Sequence, residues 1–180
     1  MIWLSNSTVV RLRDQLRTRG QRPSVVLPAN CTPDEAQTAQ MLAEYGPLCE
    51  AMYLMMSSDG SISSDEREVL KGALRNLSDD QLRSAHIETM LDAAAKKAAS
   101  EGRDSRMKDV IESLHEDTAR AEVAFVLAAA IAFADNAIAD QENDTLNALA
   151  EGLGIGEERA NELLDSVESD LAQQGGGAAS

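Results

Sequence analysis

The feature that most constrains the fold is a pattern that occurs twice, at an offset of 76 residues (136 minus 60). In each copy, a largely apolar segment is followed by a short acidic turn and then by a leucine-bearing amphipathic segment. The turns read SSDGSISSDERE at 57–68 and ADNAIADQEND at 134–144. Gly60 aligns with Asn136, and these are the two residue types that best tolerate a left-handed backbone. The pattern predicts two related helix–turn–helix halves.

The composition favours helices throughout. Aromatic residues make up only 3% of the chain, so Ala, Leu, Ile, Val and Met must form the core, which suits close-packed helices. Apolar spacing and capping signals predict an all-α bundle of about seven to eight helices, with 121–134 as the central buried helix. Thr32-Pro33 predicts the start of a helix that runs to about Tyr45, where Gly46-Pro47 should break or kink it. Ser78-Asp79-Asp80 predicts the cap of a later helix.

The length is sufficient for one well-packed domain. We expect an N-terminal helix and linker over 1–35, a helical domain over 36–173 and a disordered tail over 174–180. Apart from a weak strand pattern, SVVL at 24–27, the sequence contains no alternating pattern typical of β-strands. The longest apolar run, at 123–134, falls well short of the roughly 20 residues that span a bilayer. We therefore expect a soluble, cytoplasmic protein that does not insert into membranes.

The charge disfavours two classes of partner. A net charge of −15 repels nucleic acid and anionic membranes unless a basic patch intervenes. The basic cluster at 11–22 lacks interleaved aromatic residues, so it predicts a solvated helix face.

The first turn looks like the second half of an EF-hand loop, and the ligand positions exclude that motif. Aligning the turns with the loop puts Met55 and Ile131 at the first ligand position, where a hard cation requires oxygen. Asp59 and Asp135 nevertheless lie where helices should end, and the helix dipole disfavours an anion there. Each carboxylate should therefore have a partner, either a cation or a backbone amide in an Asx-turn, and both alternatives stay open.

The segments MMSSDGSISSDEREVL, AFADNAIADQENDTLNAL and ALAEGLGIGEE resemble the tellurite-resistance TerB family. They are also similar to the N-terminal region of a membrane-anchored DnaJ-like cochaperone, although the chain has no His-Pro-Asp motif. The resemblance covers about 40–170 and implies an all-helical bundle of two related halves. It also implies a role in tellurite and chemical-stress resistance, as a cytoplasmic partner of membrane-associated complexes.

The resemblance further implies that acidic residues of the turns bind a divalent metal, with calcium the foremost candidate. The second copy departs from the family pattern at Asn136, where Gly is usual, and at Ala139, where a Ser or Thr cap is expected. The residues that the resemblance assigns to the metal are Asp59, Glu66, Asp135 and Glu142.

Other chemistry has weaker support in the sequence. His86 and His115 are expected at the surface or in a last helical turn, and no phosphate-binding loop follows a strand, so we expect no enzymatic activity and no organic cofactor. Cys49, Met52 and Met56 share a helical face, but such residues usually fill a core. The alternative to a metal-binding module is a metal-free acidic helical scaffold for protein–protein interaction.

Overall fold

The computed structural model describes residues 6–19, 24–57, 62–133 and 140–176, and their regular structure is entirely helical. This confirms the predicted all-α bundle, and within the described ranges the weak pattern at 24–27 forms no strand. The helices are α1 Asn6–Arg19, α2 Pro33–Met56, α3 Ser64–Leu77, α4 Ser84–Glu101, α5 Arg103–Leu114, α6 Thr118–Ala132, α7 Asp140–Gly152 and α8 Glu157–Gly176.

Helix α6 is the centre of the bundle, as its apolar sequence predicts. Twelve of its 15 residues are buried. Its most extensive contact is with α2, whose buried residues begin at Met41 and continue to Met56. Helices α1, α3, α7 and α8 also pack on α6, so one core runs through the whole bundle.

Helix α2 continues through Gly46-Pro47, so the predicted end near Tyr45 is wrong. Pro47 has no amide hydrogen, and the carbonyl of Ala43 therefore lacks its usual helical donor. Arg120 of α6 replaces that donor: its Nη2 lies 3.5 Å from Ala43 O and also donates to Glu44 O. A side chain from the neighbouring helix thus lets α2 pass through a proline.

The predicted helix cap at Ser78-Asp79-Asp80 is also wrong, because these residues end α3 and α4 begins later, at Ser84. Asp79 and Asp80 both have a left-handed backbone, with φ of 55° and 59°. The amide of Asp80 donates to Arg75 O at 2.8 Å, which closes α3. The Ser78 hydroxyl then accepts a hydrogen bond from the Leu82 amide at 3.1 Å.

The N-terminal helix α1 belongs to the same core. Leu12 and Leu16 are buried with the residues of α2, α3 and α6. The predicted basic face lies on the outer side of α1 but reaches back to the bundle: Arg13 donates to Asn76 O at 3.1 Å, and Asp79 pairs with Arg13 Nη1 at 3.4 Å. The division at residue 35 stays a prediction, and α1 packs directly against the helices that follow it.

Candidate functional site

The two predicted turns occupy equivalent positions between their flanking helices. Helix α2 ends at Met56 and α6 at Ala132, while α3 begins at Ser64 and α7 at Asp140. Both pairs are 76 residues apart (132 minus 56, and 140 minus 64), which is the offset of the sequence repeat. Asp59 and Asp135, predicted as metal ligands, lie outside the described residues.

Glu66 lies in the first turn of α3 and takes part in a capping box. Its amide donates to Ser63 Oγ at 3.1 Å, and its Oε2 accepts from the Ser63 amide at 2.7 Å. The sequence pattern of Ser63 followed three residues later by Glu66 predicts such a cap, and the structure confirms it: the Ser and the Glu satisfy two free amides reciprocally. Within the described part of the chain, Glu66 Oε1 makes no hydrogen bond, so this half-buried carboxylate retains an oxygen for another partner.

Glu142 occupies the corresponding first turn of α7, beside Asp140. Its side chain is half-buried, whereas that of Asp140 is exposed. A carboxylate in a first helical turn is favoured by the helix dipole, and it points toward the side from which the chain enters the helix. Glu66 and Glu142 are therefore placed alike with respect to their own hairpins.

The direction of α5 follows from two contacts with α2. Arg103, the first residue of α5, donates through Nε to Leu54 O at 3.1 Å. One turn later, Arg106 binds Glu50, with Nε 2.7 Å from Oε1. Since successive turns of α5 contact earlier turns of α2, the two helices are antiparallel. The end of α5 therefore lies beside the middle of α2.

Helix α6 begins beside the middle of α2 and runs parallel to α2. Arg120, in its first turn, contacts the carbonyls of Ala43 and Glu44. From there the buried residues of α6 continue to Ala132, while those of α2 continue from Met41 to Met56. The exposed first turns of α2 offer no matching apolar surface. Both helices therefore end at the same end of the bundle.

Helix α7 returns from that end. Its last residue, Gly152, packs so closely on Ile111 that an added Cβ would lie 2.6 Å from Ile111 Cδ1. Helix α3 also runs back from that end. Arg13 of α1 contacts Asn76 near the end of α3, and Gln15 of α1 donates to Ala119 O at 3.4 Å near the start of α6. The end of α3 therefore lies on the same side of the bundle as the start of α6. The chain thus leaves α2 and α6, and enters α3 and α7, at one end of the bundle.

The predicted thiol and thioether residues belong to the core. Cys49 is fully buried, and burial raises the pKa of its thiol to about 12. Met52, Met55 and Met56 are also buried. These side chains pack against other apolar residues, which confirms the prediction that they fill the core.

Sequence reasoning missed two sites of buried charge. Glu50 and Arg106 form a bidentate pair in which the side chains are only 11% and 12% exposed. Arg120 is 5% exposed, and its Nε has no hydrogen-bond partner among the described residues. Desolvation lowers the pKa of Arg120, while Asp117 and Glu44 oppose that shift. A charged residue inside an apolar helical pattern was the available signal for both sites.

In the part of the chain that the structure describes, no three His, Cys, Asp or Glu side chains cluster as metal ligands would. That part includes Glu66 and Glu142 and excludes both turn aspartates. The carboxylates of Glu66 and Glu142 supply oxygen donors at one end of the bundle, and oxygen is the donor type that calcium prefers. Among the described helices, none has both the length and the apolarity needed to cross a membrane.

The fold and the paired turns define an all-helical domain built around two helical hairpins that point the same way. The family model for tellurite resistance protein TerB matches residues 48–165, and the chain belongs to that family. Comparison with curated proteins and with solved structures found no significant match. The matched residues contain both turns and all four predicted metal ligands, whereas α1 and residues 33–47 of α2 precede them.

Proposed function

We propose that this TerB-family protein is a non-enzymatic, cytoplasmic stress-response protein whose two acidic turns together bind one divalent cation, calcium by preference. The observation that carries the proposal is the shared direction of α2 and α6, since it brings the entrances of α3 and α7 to one end of the bundle. A single turn supplies two carboxylates, whereas calcium takes six to eight oxygen ligands. Two turns at one end offer four carboxylates.

Each predicted ligand has a defined part in this site. Glu66 contributes the oxygen that the capping box leaves free, and Glu142 contributes its half-buried carboxylate from the equivalent position. Asp59 and Asp135 supply charge from the turns themselves. A bound cation would offset the cost of placing these aspartates after helix C-termini, where the dipole is unfavourable to anions. We further propose that partner proteins of a resistance complex recognise this end of the bundle when the cation is bound.

A second function, the metal-free acidic scaffold, is favoured by one specific contact. The capping box already gives Glu66 a structural role that needs no cation. In this alternative, the turns only close helices, and the surface of a chain with net charge −15 serves to dock proteins of complementary charge. The two functions differ in whether the turns bind calcium at physiological ionic strength.

Calorimetric titration of metal-stripped protein with calcium separates the two functions. The buffer should contain about 0.15 M salt, which screens diffuse attraction to the acidic surface. We expect saturable binding by the wild type and its loss in Asp59→Asn combined with Asp135→Asn. Asp92→Asn with Asp165→Asn is the matched control, because both residues are exposed on helices and the variant has the same net charge. Equal binding by the two double variants, or no binding by the wild type, would favour the scaffold.

A further inference from the structure

The N-terminal helix α1 lies across α3 and α6, and α8 borders it on one side. Its side chains Val9, Leu12 and Leu16 are buried against the bundle. Because these residues follow one another at intervals of three and four, they occupy one side of the helix. Val10, by contrast, is 45% exposed. Helix α1 is thus an amphipathic helix seated on an apolar surface, which is one of the ways in which proteins bind helical segments of their partners.

Two arginines of α1 bind the end of α3. Arg13 Nε donates to Asn76 O at 3.1 Å, and Arg13 Nη1 lies 3.4 Å from Asp79 Oδ1. Arg17 Nη2 lies 3.6 Å from Asp79 Oδ2, so one carboxylate faces two guanidinium groups. A carboxylate and a carbonyl at the edge of the surface favour a basic helix over a neutral or an acidic one.

The other edge of α1 makes polar contacts with α6 and α8. Gln15 Nε2 donates to Glu122 Oε2 of α6 at 3.1 Å. Arg11 Nη2 donates to Ser166 Oγ of α8 at 2.8 Å. The area between the two edges, bordered by Asp79, Glu122 and Ser166, is the α1 surface. An apolar floor with a polar border therefore receives both sides of the amphipathic helix.

The charges of α1 and of the rest of the chain are opposite. Helix α1 contains four arginines and one aspartate, which gives it a net charge of +3 (4 minus 1). The rest of the chain therefore carries −18 (−15 minus 3). This difference attracts α1 to the bundle, and it attracts any other basic helix to the same surface.

The connection between α1 and α2 allows α1 to leave the surface. It comprises residues 20–32, and thirteen extended residues span about 43 Å. In its described part, 24–32, no residue is buried. The backbone hydrogen bond there is local, from the Cys31 amide to Pro28 O at 3.1 Å. Release of α1 therefore breaks no contact between this part of the connection and the core.

We propose that the α1 surface binds a basic amphipathic helix of a partner protein, and that α1 is a built-in competitor for it. The contacts of α1 define the ligand, which has apolar side chains at positions i, i+3 and i+7 and arginines beside them. The family match over 48–165 contains the α1 surface up to Ser166, whereas α1 precedes the match. The four predicted metal ligands take no part in this proposal, so its test is independent of the calcium site.

The probe for this surface is a fluorescent synthetic peptide of residues 6–19, and fluorescence anisotropy measures its binding to the full chain. In Leu12→Asp with Leu16→Asp, burial of two carboxylates is unfavourable, so α1 leaves the surface unoccupied. We expect this release variant to bind the peptide at least about tenfold more tightly than the wild type, because the tethered α1 of the wild type competes at an effective concentration on the order of mM. Val10→Asp is the matched control: it changes an exposed side chain of α1 and should bind as weakly as the wild type.

The contact with Asp79 offers a second matched pair of variants. Asp79 and Asp80 both have a left-handed backbone, which asparagine tolerates, and either change to asparagine removes one negative charge. Asp80 pairs with Arg75 of α3. In the release variant, Asp79→Asn should weaken peptide binding at least about threefold, whereas Asp80→Asn should leave it unchanged. Equal effects of the two changes would indicate diffuse attraction to an acidic chain and would overturn the proposal.

A peptide of equal charge separates docking from diffuse attraction. Leu12→Gln with Leu16→Gln in the peptide keeps its net charge and removes two apolar side chains, so this peptide should not bind the release variant. Equal binding of the two peptides would contradict docking on the α1 surface. Failure of a folded release variant to bind the original peptide would contradict it as well.

Hydrogen exchange of the wild type tests the proposal even if the release variant fails to fold. If α1 leaves the surface reversibly, its amides exchange through that local opening and not through global unfolding. Salt weakens the ion pairs of α1, so a rise from about 0.05 to 0.5 M should speed exchange in α1 several-fold and change exchange in α6 little. Exchange of α1 amides at the rate of α6 amides would overturn the proposal.

Discussion

Arg120 lies in α6, whose other buried residues are all apolar. Its guanidinium donates hydrogen bonds to backbone carbonyls of α2. The sequence alone predicted a break or kink at Gly46-Pro47 because the rule for proline is local. The donor that compensates for the missing amide comes from α6, far along the chain. Long-range compensation of this kind has no periodicity or spacing by which a sequence reveals it.

Replacement of Arg120 by Met should therefore be costly in a way that depends on Pro47. The carbonyls of Ala43 and Glu44 would lose a donor inside the protein, at about 1–3 kcal/mol for each group left unsatisfied. In a Pro47→Ala background, the new amide serves Ala43 O, so the same replacement should cost about 1–2 kcal/mol less. Urea unfolding of the four proteins measures this coupling. Strictly additive effects would show that Arg120 does not compensate for the proline.

The two cysteines differ in exposure, and their reactivity should differ accordingly. Burial raises the pKa of the Cys49 thiol to about 12, whereas Cys31 is partly exposed in the linker. A thiol reagent at pH 8 should label one thiol in the native protein and two in urea. Cys31→Ser should abolish the native reaction, and rapid labelling of that variant would contradict the burial of Cys49.

The raised pKa of Cys49 also predicts how the free energy of unfolding changes with pH. The ordinary thiol pKa is 9.0, so above that value the unfolded chain ionises Cys49 while the folded protein does not. The contribution of this burial to stability is complete below pH 9 and is lost as pH rises toward 12. Cys49→Ala should flatten the decline of unfolding free energy in that range.

At the scale of the element, local signals predicted helices and caps well. The capping box at Ser63 and Glu66, the helix start at Thr32 and the buried helix α6 all follow from short-range patterns. The pattern Ser78-Asp79-Asp80 failed because its residues serve equally well as a helix cap and as a left-handed turn. Contacts with arginines of α1 and α3 accompany the turn.

Two glycines within helices should differ in their response to alanine. A Cβ at Gly46 would meet no atom within 4 Å beyond its chain neighbours. However, Pro47 disfavours the helical conformation at a preceding residue that carries a Cβ, so Gly46→Ala should change the free energy of unfolding by less than about 1 kcal/mol. At Gly152 a Cβ would lie 2.6 Å from Ile111 Cδ1 and 2.9 Å from its Cγ2, so Gly152→Ala should lower it by about 1–3 kcal/mol. Urea denaturation of dilute protein gives both values. Equal changes in the two variants would contradict the close packing of α7 on α5.

At the scale of the whole molecule, the candidate site depends on an arrangement that no short segment specifies. The four acidic residues were assigned through the family resemblance, and the repeat located the two turns. Whether the hairpins point the same way or opposite ways depends on contacts such as that of Arg120 with Ala43, between residues distant in sequence. The shared direction of α2 and α6 is therefore the observation on which the proposal of one shared site, rather than two separate sites, rests.

Calcium stoichiometry, measured calorimetrically on wild type and single variants, tests this shared site most directly. Glu66→Gln is the most informative variant, because glutamine preserves the capping box while removing the charge. We predict one calcium per chain, and at least about tenfold weaker binding in Glu66→Gln and in Glu142→Gln. In the absence of metal, Glu66→Gln should lower the unfolding free energy by no more than about 1 kcal/mol, which is the helix-dipole contribution of the lost charge. Two independent calcium ions per chain, each lost with its own turn, would contradict the shared site, as would binding that neither variant affects.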